Sequence, residues 1–185
     1  MISFIVSAYN RPDHLRCCLA SLALQTRSHE ILVACNSDTS ETYAAHLDIA
    51  VQFHVPIWPT TGGCYNASNE IAEHHAEGDW LCFPSDDSYY VPRFSEIMLA
   101  TAEAASWDFV YCDMVYDRHP EGLYRVMNAQ PRTCAIDKTN FLVKRAVFKG
   151  FPPHESDWRD GALAEQLVAE GVRHGKAPGV LVAHN

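Results

Sequence analysis

The sequence predicts an α/β fold, a mostly parallel sheet flanked by helices in a single compact domain. Three observations predict it. Short runs of β-favouring apolar residues recur along the chain, the stretches between them carry helical periodicity, and length and composition suit one core. The chain has 185 residues, 48% of them apolar, with 23 acidic against 14 basic side chains and a formal net charge of −9. A chain of this size buries about 70% of its unfolded surface, so no disulfide or metal staple is needed for folding. The acidic balance argues against a general nucleic-acid binder and against a polybasic membrane anchor. An anionic ligand then needs a metal ion or a local cationic patch.

The first element is the apolar run Ile2 to Val6, the mark of a strand buried on both faces, which breaks at Ser7 to Pro12. A helix opens near Asp13, where Leu15, Cys18, Leu19 and Leu22 form one stripe at i, i+3, i+4, i+7. Glu30 to Cys35 is a second strand, followed by the turn and N-cap cluster Asn36 to Ser40 and a helical stretch through Leu47. Val51 to Val55 reads as a third strand, and Pro56 to Gly63 as a loop handing over to a helix near Asn66 to Ala76. Trp80 to Phe83 is a fourth strand, ending at Pro84 to Ser88. A helix follows from Pro92 to about Ala105. Phe109 to Tyr116 and Thr139 to Val143 read as further strands, joined by a stretch too polar and too rich in Pro, Gly and Arg to assign. A helix from about Arg159 to Glu170 and a terminal strand Val180 to Val182, running into His184, complete the pattern. No internal repeat or low-complexity segment interrupts it.

The seven cysteines stand at 17, 18, 35, 64, 82, 112 and 134, an odd count with no CxxC, and they read as the reduced thiols of a cytoplasmic protein. The first ten residues lack a basic region, and no apolar stretch approaches the ~18 residues of a membrane span.

In parallel α/β sheets ligands bind at the carboxyl ends of the strands. The polar residues there are Ser7 to Arg11, Asn36 to Asp38, Ser85 to Asp87 and His184. Asp86-Asp87 offers hard oxygen ligands of the kind Mg²⁺ and Mn²⁺ prefer, although a turn or helix cap uses the same residues. His184 can complete a site that two carboxylates begin. Asp157 and Asp160, with Glu155 nearby, precede or open the last helix, either as caps or as a general base. His74-His75 and Cys64 lack zinc spacing. Gly62-Gly63 has neither the GxGxxG pattern nor a P-loop Lys-Ser/Thr, and no GxSxG elbow is present.

Three segments, Val6-Ser-Ala-Tyr-Asn-Arg-Pro-Asp13, Ala76-Glu-Gly-Asp-Trp-Leu-Cys-Phe-Pro-Ser-Asp-Asp87 and Asp160-Gly-Ala-Leu-Ala-Glu-Gln-Leu167, together resemble the family 2 glycosyltransferases of the GT-A fold. Cys134 to Asn140 further resembles the acceptor-side segment of spore-coat-polysaccharide-type members. The resemblance implies a metal-dependent, inverting transfer of a sugar from a nucleotide-diphosphate donor, a UDP-sugar first of all, to a carbohydrate or other hydroxyl acceptor. Ser7, Ala8, Tyr9, Arg11, Asn36, Asp38, Asn69 and Asp86 would then bind the nucleotide sugar. Asp86 and Asp87 would hold Mn²⁺ or Mg²⁺ on the diphosphate, with Asp87 making the direct bond and His184 a third ligand, and Asp160 would be the general base. Residues 1–87 would form the nucleotide-sugar half and 88–185 the acceptor side, with a second copy or partner supplying the missing acceptor wall.

Two departures stand out. Ala34-Cys35-Asn36-Ser37 replaces the acid with which members commonly read uracil, leaving Asn36 or Asp38 in its place, and Ser68-Asn69 keeps only the Asn of an Arg-Asn pair. A catalytically degenerate sugar-nucleotide binding module is the alternative these departures raise. A sugar nucleotidyltransferase is a weaker one, since the loop after the first strand lacks the Gly-rich, cationic composition it needs.

Overall fold

Strand β1 (Ile2–Tyr9) is buried from its first residue to its eighth position but one, as a central strand covered on both faces must be. The computed structural model describes residues 1–118, 123–153 and 158–185. After β1 come α1 (Pro12–Ala23), β2 (His29–Asn36), α2 (Ser40–Gln52), β3 (Ile57–Pro59), α3 (Gly63–His74), β4 (Trp80–Cys82), β5 (Ser88–Tyr90), α4 (Phe94–Ala105), β6 (Phe109–Arg118), β7 (Leu123–Met127), β8 (Phe141–Lys144), α5 (Arg159–Ala169) and β9 (His174–His184). A one-turn 3₁₀ helix, Lys138–Asn140, leads into β8.

The strands form one sheet in the order β3-β2-β1-β4-β8-β6-β9-β5, with β7 added on β6. Its first four strands are mutually parallel, as are β6 and β9, while β8, β5 and β7 pair antiparallel. Successive β1 residues point to opposite faces. Phe4, Val6 and Ala8 pack with Leu15, Cys18, Leu19 and Leu22 of α1 and with Phe94 and Met98 of α4. Ile5 faces Ala67 and Ile71 of α3 and Leu163 and Leu167 of α5. The helical stripe at 15, 18, 19 and 22 is fully buried, as its periodicity predicts. None of the seven cysteines is disulfide-bonded. No helix among the described residues is long and apolar enough to cross a membrane.

Four elements differ from the sequence expectation. Residues 51–55 are not a strand: the apolar Ile49, Ala50 and Val51 continue α2, which ends where His54 adopts a left-handed conformation (φ 54°) and Val55 N–H caps Ala50 C=O at 3.0 Å. The third strand is the short edge β3 that follows, where Pro59 is tolerated because an edge position needs no further ladder bond. β5 is three residues long and falls inside a turn-like sequence, and β7 is exposed along nearly its whole length, so neither shows alternation. β9 is far longer than Val180 to Val182. Its Gly175, Pro178 and Gly179 disguise it, yet Gly175 is required because a Cβ there would lie 2.1 Å from the Trp107 ring.

Gly78, inside the Ala76 to Asp87 motif, has a similar reason. Its N–H donates to Ser3 Oγ at 2.8 Å and to Glu30 Oε1 at 3.1 Å, and a Cβ would come within 2.6 Å of the Ser3 backbone nitrogen. Gly78→Ala must therefore push β4 away from β1. A loss on the order of 1–3 kcal/mol in a urea unfolding curve is expected, as for other overpacked sites.

Candidate functional site

The carboxyl ends of β1 and β2 and the start of α3 enclose a cleft of about 350 Å³. Ser7, Ala8, Tyr9, Ala34 and Asn36 line it from the strands, Gly63, Cys64 and Ala67 from α3, and Arg11, Thr60 and Ser85 from the loops. The walls at Ala8, Ala34 and Ala67 are small and apolar, which leaves a slot for a flat ring. Asn10 follows in a left-handed conformation (φ 52°) that asparagine tolerates better than most residues. That bend lets its side chain donate to Asp38 Oδ2 at 2.5 Å and accept from Asp38 N–H at 3.0 Å. Tyr9 hydroxyl also donates to Asp38, at 2.9 Å, so Asp38 braces the rim of the cleft rather than lining it.

Asp86 and Asp87 stand at the end of β4, 0% and 3% exposed. Backbone bonds fasten this corner to β1: Ser7 N–H to Pro84 C=O at 2.9 Å and Asp86 N–H to Ser7 C=O at 3.0 Å. Asp86 Oδ2 accepts Tyr9 N–H at 2.8 Å. Arg11 bridges the pair, Nη2 donating to Asp86 Oδ1 at 2.5 Å and Nη1 to Asp87 Oδ2. Burial raises the Asp86 pKa above the ordinary carboxylate value against the opposing pull of Tyr9 N–H and Arg11. For Arg11, desolvation works downward, but the two carboxylates prevail and the net shift is upward.

Asp87 Oδ1 is the exception in this network, a buried acceptor with no hydrogen bond among the described residues. His184 Nδ1 lies 3.3 Å from it but also 3.1 Å from Ser88 Oγ, and the approach to Oδ1 falls short of hydrogen-bond geometry. The β5–β9 ladder, which pairs Ser88 with His184, brings the imidazole here. Among the described residues no three His, Cys, Asp or Glu side chains form a ready-made metal site. An unspent carboxylate oxygen beside an imidazole nonetheless fits a hard divalent ion of the kind that takes one or two carboxylates and completes its shell with substrate phosphates.

Asp160, in the first turn of α5, is 8% exposed. Its Oδ1 accepts Gly161 N–H at 2.7 Å and its Oδ2 accepts Lys138 N–H at 3.1 Å. Burial and the nearby Asp137 charge push its pKa up to about 6, with those two N–H groups and the Lys138 charge pulling the other way. Gly161 permits this closeness, since a Cβ there would stand 2.4 Å from Thr133 Cα. Lys138 reaches in the other direction as well, its Nζ donating to Ser7 Oγ at 3.0 Å. A single residue thus spans from the cleft to Asp160.

The structure therefore gathers Ser7, Ala8, Tyr9, Arg11, Asn36, Asp86, Asp87 and His184 around the strand ends, with Asp160 joined to them through Lys138. It does not bring Asn69 to the cleft: the Asn69 amide accepts Phe151 N–H at 2.7 Å and donates to Phe151 C=O at 3.2 Å, clamping a loop. Asp157 and Glu155 lie outside the described residues. Two residues escaped the sequence. Lys138 stands inside the Cys134 to Asn140 segment, but only a charge set between Ile136 and the apolar run from Phe141 distinguishes it there. His46 is fully buried on α2, with Nδ1 3.1 Å from Ser37 Oγ, and burial lowers its pKa so that it props the end of β2 as a neutral ring.

The fold is shared with proteins of known structure. A structure of S. aureus TarS 1-349 superposes with a TM-score of 0.77 at 17% identity, covering 100% of this chain and 60% of that one. The TarS 1-349 complex with UDP gives 0.78 at 16% identity over 98% of this chain and 59% of that one, and the complex with UDP-GlcNAc gives 0.77 at 16% identity over 98% and 57%. A Haemophilus influenzae protein described as an uncharacterized glycosyltransferase is 28% identical over 120 residues. The match takes in 62% of this chain, which spans only 40% of that relative's length. The family model for glycosyl transferase family 2 matches residues 3–152, a stretch that begins in β1 and runs through the carboxylate pair to the Asn69-clamped loop. On that coverage the chain belongs to glycosyl transferase family 2.

Proposed function

We propose that the protein transfers a sugar from a nucleoside-diphosphate donor, a UDP-sugar, to an acceptor hydroxyl with inversion at the anomeric carbon, using Mn²⁺ or Mg²⁺. The observation that carries this is the linkage of a buried, high-pKa carboxyl group, Asp160, through Lys138 to Ser7, whose carbonyl accepts the N–H of Asp86 in the carboxylate corner. The UDP and UDP-GlcNAc complexes of TarS support the choice of donor.

The slot between Ala8, Ala34 and Ala67 takes the base, and Asn36, with one amide donor and one carbonyl acceptor, can pair with a base edge. Asp87 and His184 would hold the cation, which when bound neutralises charge on the departing diphosphate. Asp160 removes the proton from the acceptor hydroxyl. A carboxylate titrating near 6 is ionised at neutral pH yet is a stronger base than an ordinary aspartate. Among the described residues each of its oxygens accepts one backbone N–H, leaving lone pairs for the incoming hydroxyl. The alkoxide oxygen attacks the anomeric carbon opposite the leaving group, so one displacement inverts the configuration.

A thermal-shift panel of UDP, GDP, CDP and dTDP should show UDP stabilising the protein in Mn²⁺ or Mg²⁺ and not in EDTA, with the metal-dependent part lost in Asp87→Ala. Equal binding by that variant would overturn the metal role. Asp160→Asn should slow transfer by about 10²–10⁴-fold, the span of general-base catalysis, while UDP still binds. The wild-type rate should rise with pH through an acid limb near 6. Stability should move in the opposite direction. Between about pH 4 and 6 the folded carboxyl holds a proton the unfolded one has lost, so stability falls as pH rises across that window. Asp160→Asn should flatten that part of a pH-dependent melting series. Arg11→Met leaves two buried carboxylates without their counter-charge. Because the guanidinium is 43% exposed, the loss should be on the order of 1–3 kcal/mol, less than for a fully buried pair, and added Mn²⁺ should recover part of it in melting experiments.

A further inference from the structure

Lys138 is 5% exposed, yet among the described residues its ammonium makes one hydrogen bond, to Ser7 Oγ, and has no carboxylate within 4.0 Å. An ammonium carries three donors. A buried charge is costly unless it is paired and hydrogen-bonded, so a group that spends one donor has capacity for a further partner.

Its surroundings indicate which ligand. Nζ lies 3.0 Å from the Oγ of Ser7, a residue that lines the cleft and whose carbonyl accepts the Asp86 N–H. Asp86 is already engaged by Arg11 and Tyr9 N–H. Of the other cations nearby, Arg11 is engaged by the two carboxylates, and Arg159 donates to Asn66 Oδ1 at 3.0 Å and lies over the Tyr65 ring, its Nε without a hydrogen bond among the described residues. Helix α3, which flanks the cleft, contains no Lys or Arg. An anion entering the cleft beside Ser7 would meet this charge.

The side chain is not needed to hold its own turn. Asp137 Oδ1 caps Thr139 N–H at 2.9 Å, Asn140 Oδ1 accepts Asp137 N–H at 3.1 Å, and Asn140 Nδ2 donates to Cys112 C=O at 2.8 Å. Lys138 anchors to Asp160 through its backbone alone.

We propose that Lys138 Nζ binds a phosphate oxygen of the donor diphosphate, whose charge pairs with this buried ammonium. The inference rests on the proposed function, and it assigns the phosphate-binding cation that α3 lacks to the turn before β8.

Lys138→Met tests it by titration calorimetry in Mn²⁺, with UDP as the probe and uridine, followed by ligand-observed NMR, as the phosphate-free control. If GDP, CDP or dTDP is the diphosphate that binds, it and its own nucleoside serve instead. The variant should lose about ten- to hundredfold in diphosphate affinity, the worth of a charge-assisted hydrogen bond, with the nucleoside unchanged within about twofold. Its ligand-free melting temperature should equal or exceed that of wild type, because an uncompensated buried charge is gone. Lys138→Gln, which can keep the bond to Ser7 without the charge, carries the same affinity expectation should the methionine variant fail to fold. Equal diphosphate binding by wild type and variant overturns the inference alone, as does a parallel loss of diphosphate and nucleoside, the signature of a strut. A wild-type protein that binds none of the four diphosphates overturns the proposed function and this inference with it.

Discussion

Two adjacent carboxylates that close a buried strand need a counter-charge, and the whole corner of this protein is arranged around meeting that need. Asp86 and Asp87 are withdrawn from water at the end of β4, and the Arg11 guanidinium is the cation set against them. For Arg11 to reach, the chain must leave β1 and start α1 directly above β4, which the bend at Asn10 and the backbone bonds between Ser7, Pro84 and Asp86 accomplish. The parallel pairing of β1 with β4 and the placement of Tyr9 N–H on Asp86 belong to the same arrangement.

The two faces of the sheet are then put to different uses. On the side of α1 and α4, β1 contributes Ile2, Phe4, Val6 and Ala8, all in the apolar core. On the side of α3 and α5 it contributes Ser3, Ile5 and Ser7, and each serine is satisfied by a partner from far along the chain. One face is packing throughout. The other turns polar toward the strand ends, and there Ser68, Lys138 and Asp160 converge.

How much of this could be read from residue order depends on how local each feature is. The α1 stripe, the continuous run of β1 and the strand ending in Asp86-Asp87 are local patterns, and each lies where its period or composition puts it. β5 and β7 are short or exposed and so have no face to alternate. Residues 51–55 misled because an apolar run at the end of a helix has the composition of a strand, and only the left-handed His54 tells them apart. Within the site, Asp160 was legible through a motif. The partner of Lys138 is 131 positions away, and the commitment of Asn69 to Phe151 spans 82, so no spacing rule reaches either.

The bond from Lys138 to Ser7 has a kinetic side. β1 lies between β2 and β4 in the sheet, and β8, which follows Lys138, lies between β4 and β6. Contacts of such long sequence separation form slowly, since the intervening loops must be closed before any contact rewards them. The bond from Lys138 to Ser7 is such a contact, spanning 131 positions, whereas the cleft itself is lined by residues between Ser7 and Ser85. A ligand that touched Ser7 and Lys138 together would bridge distant parts of the chain, so its binding free energy would stabilise the fold as a whole rather than one loop.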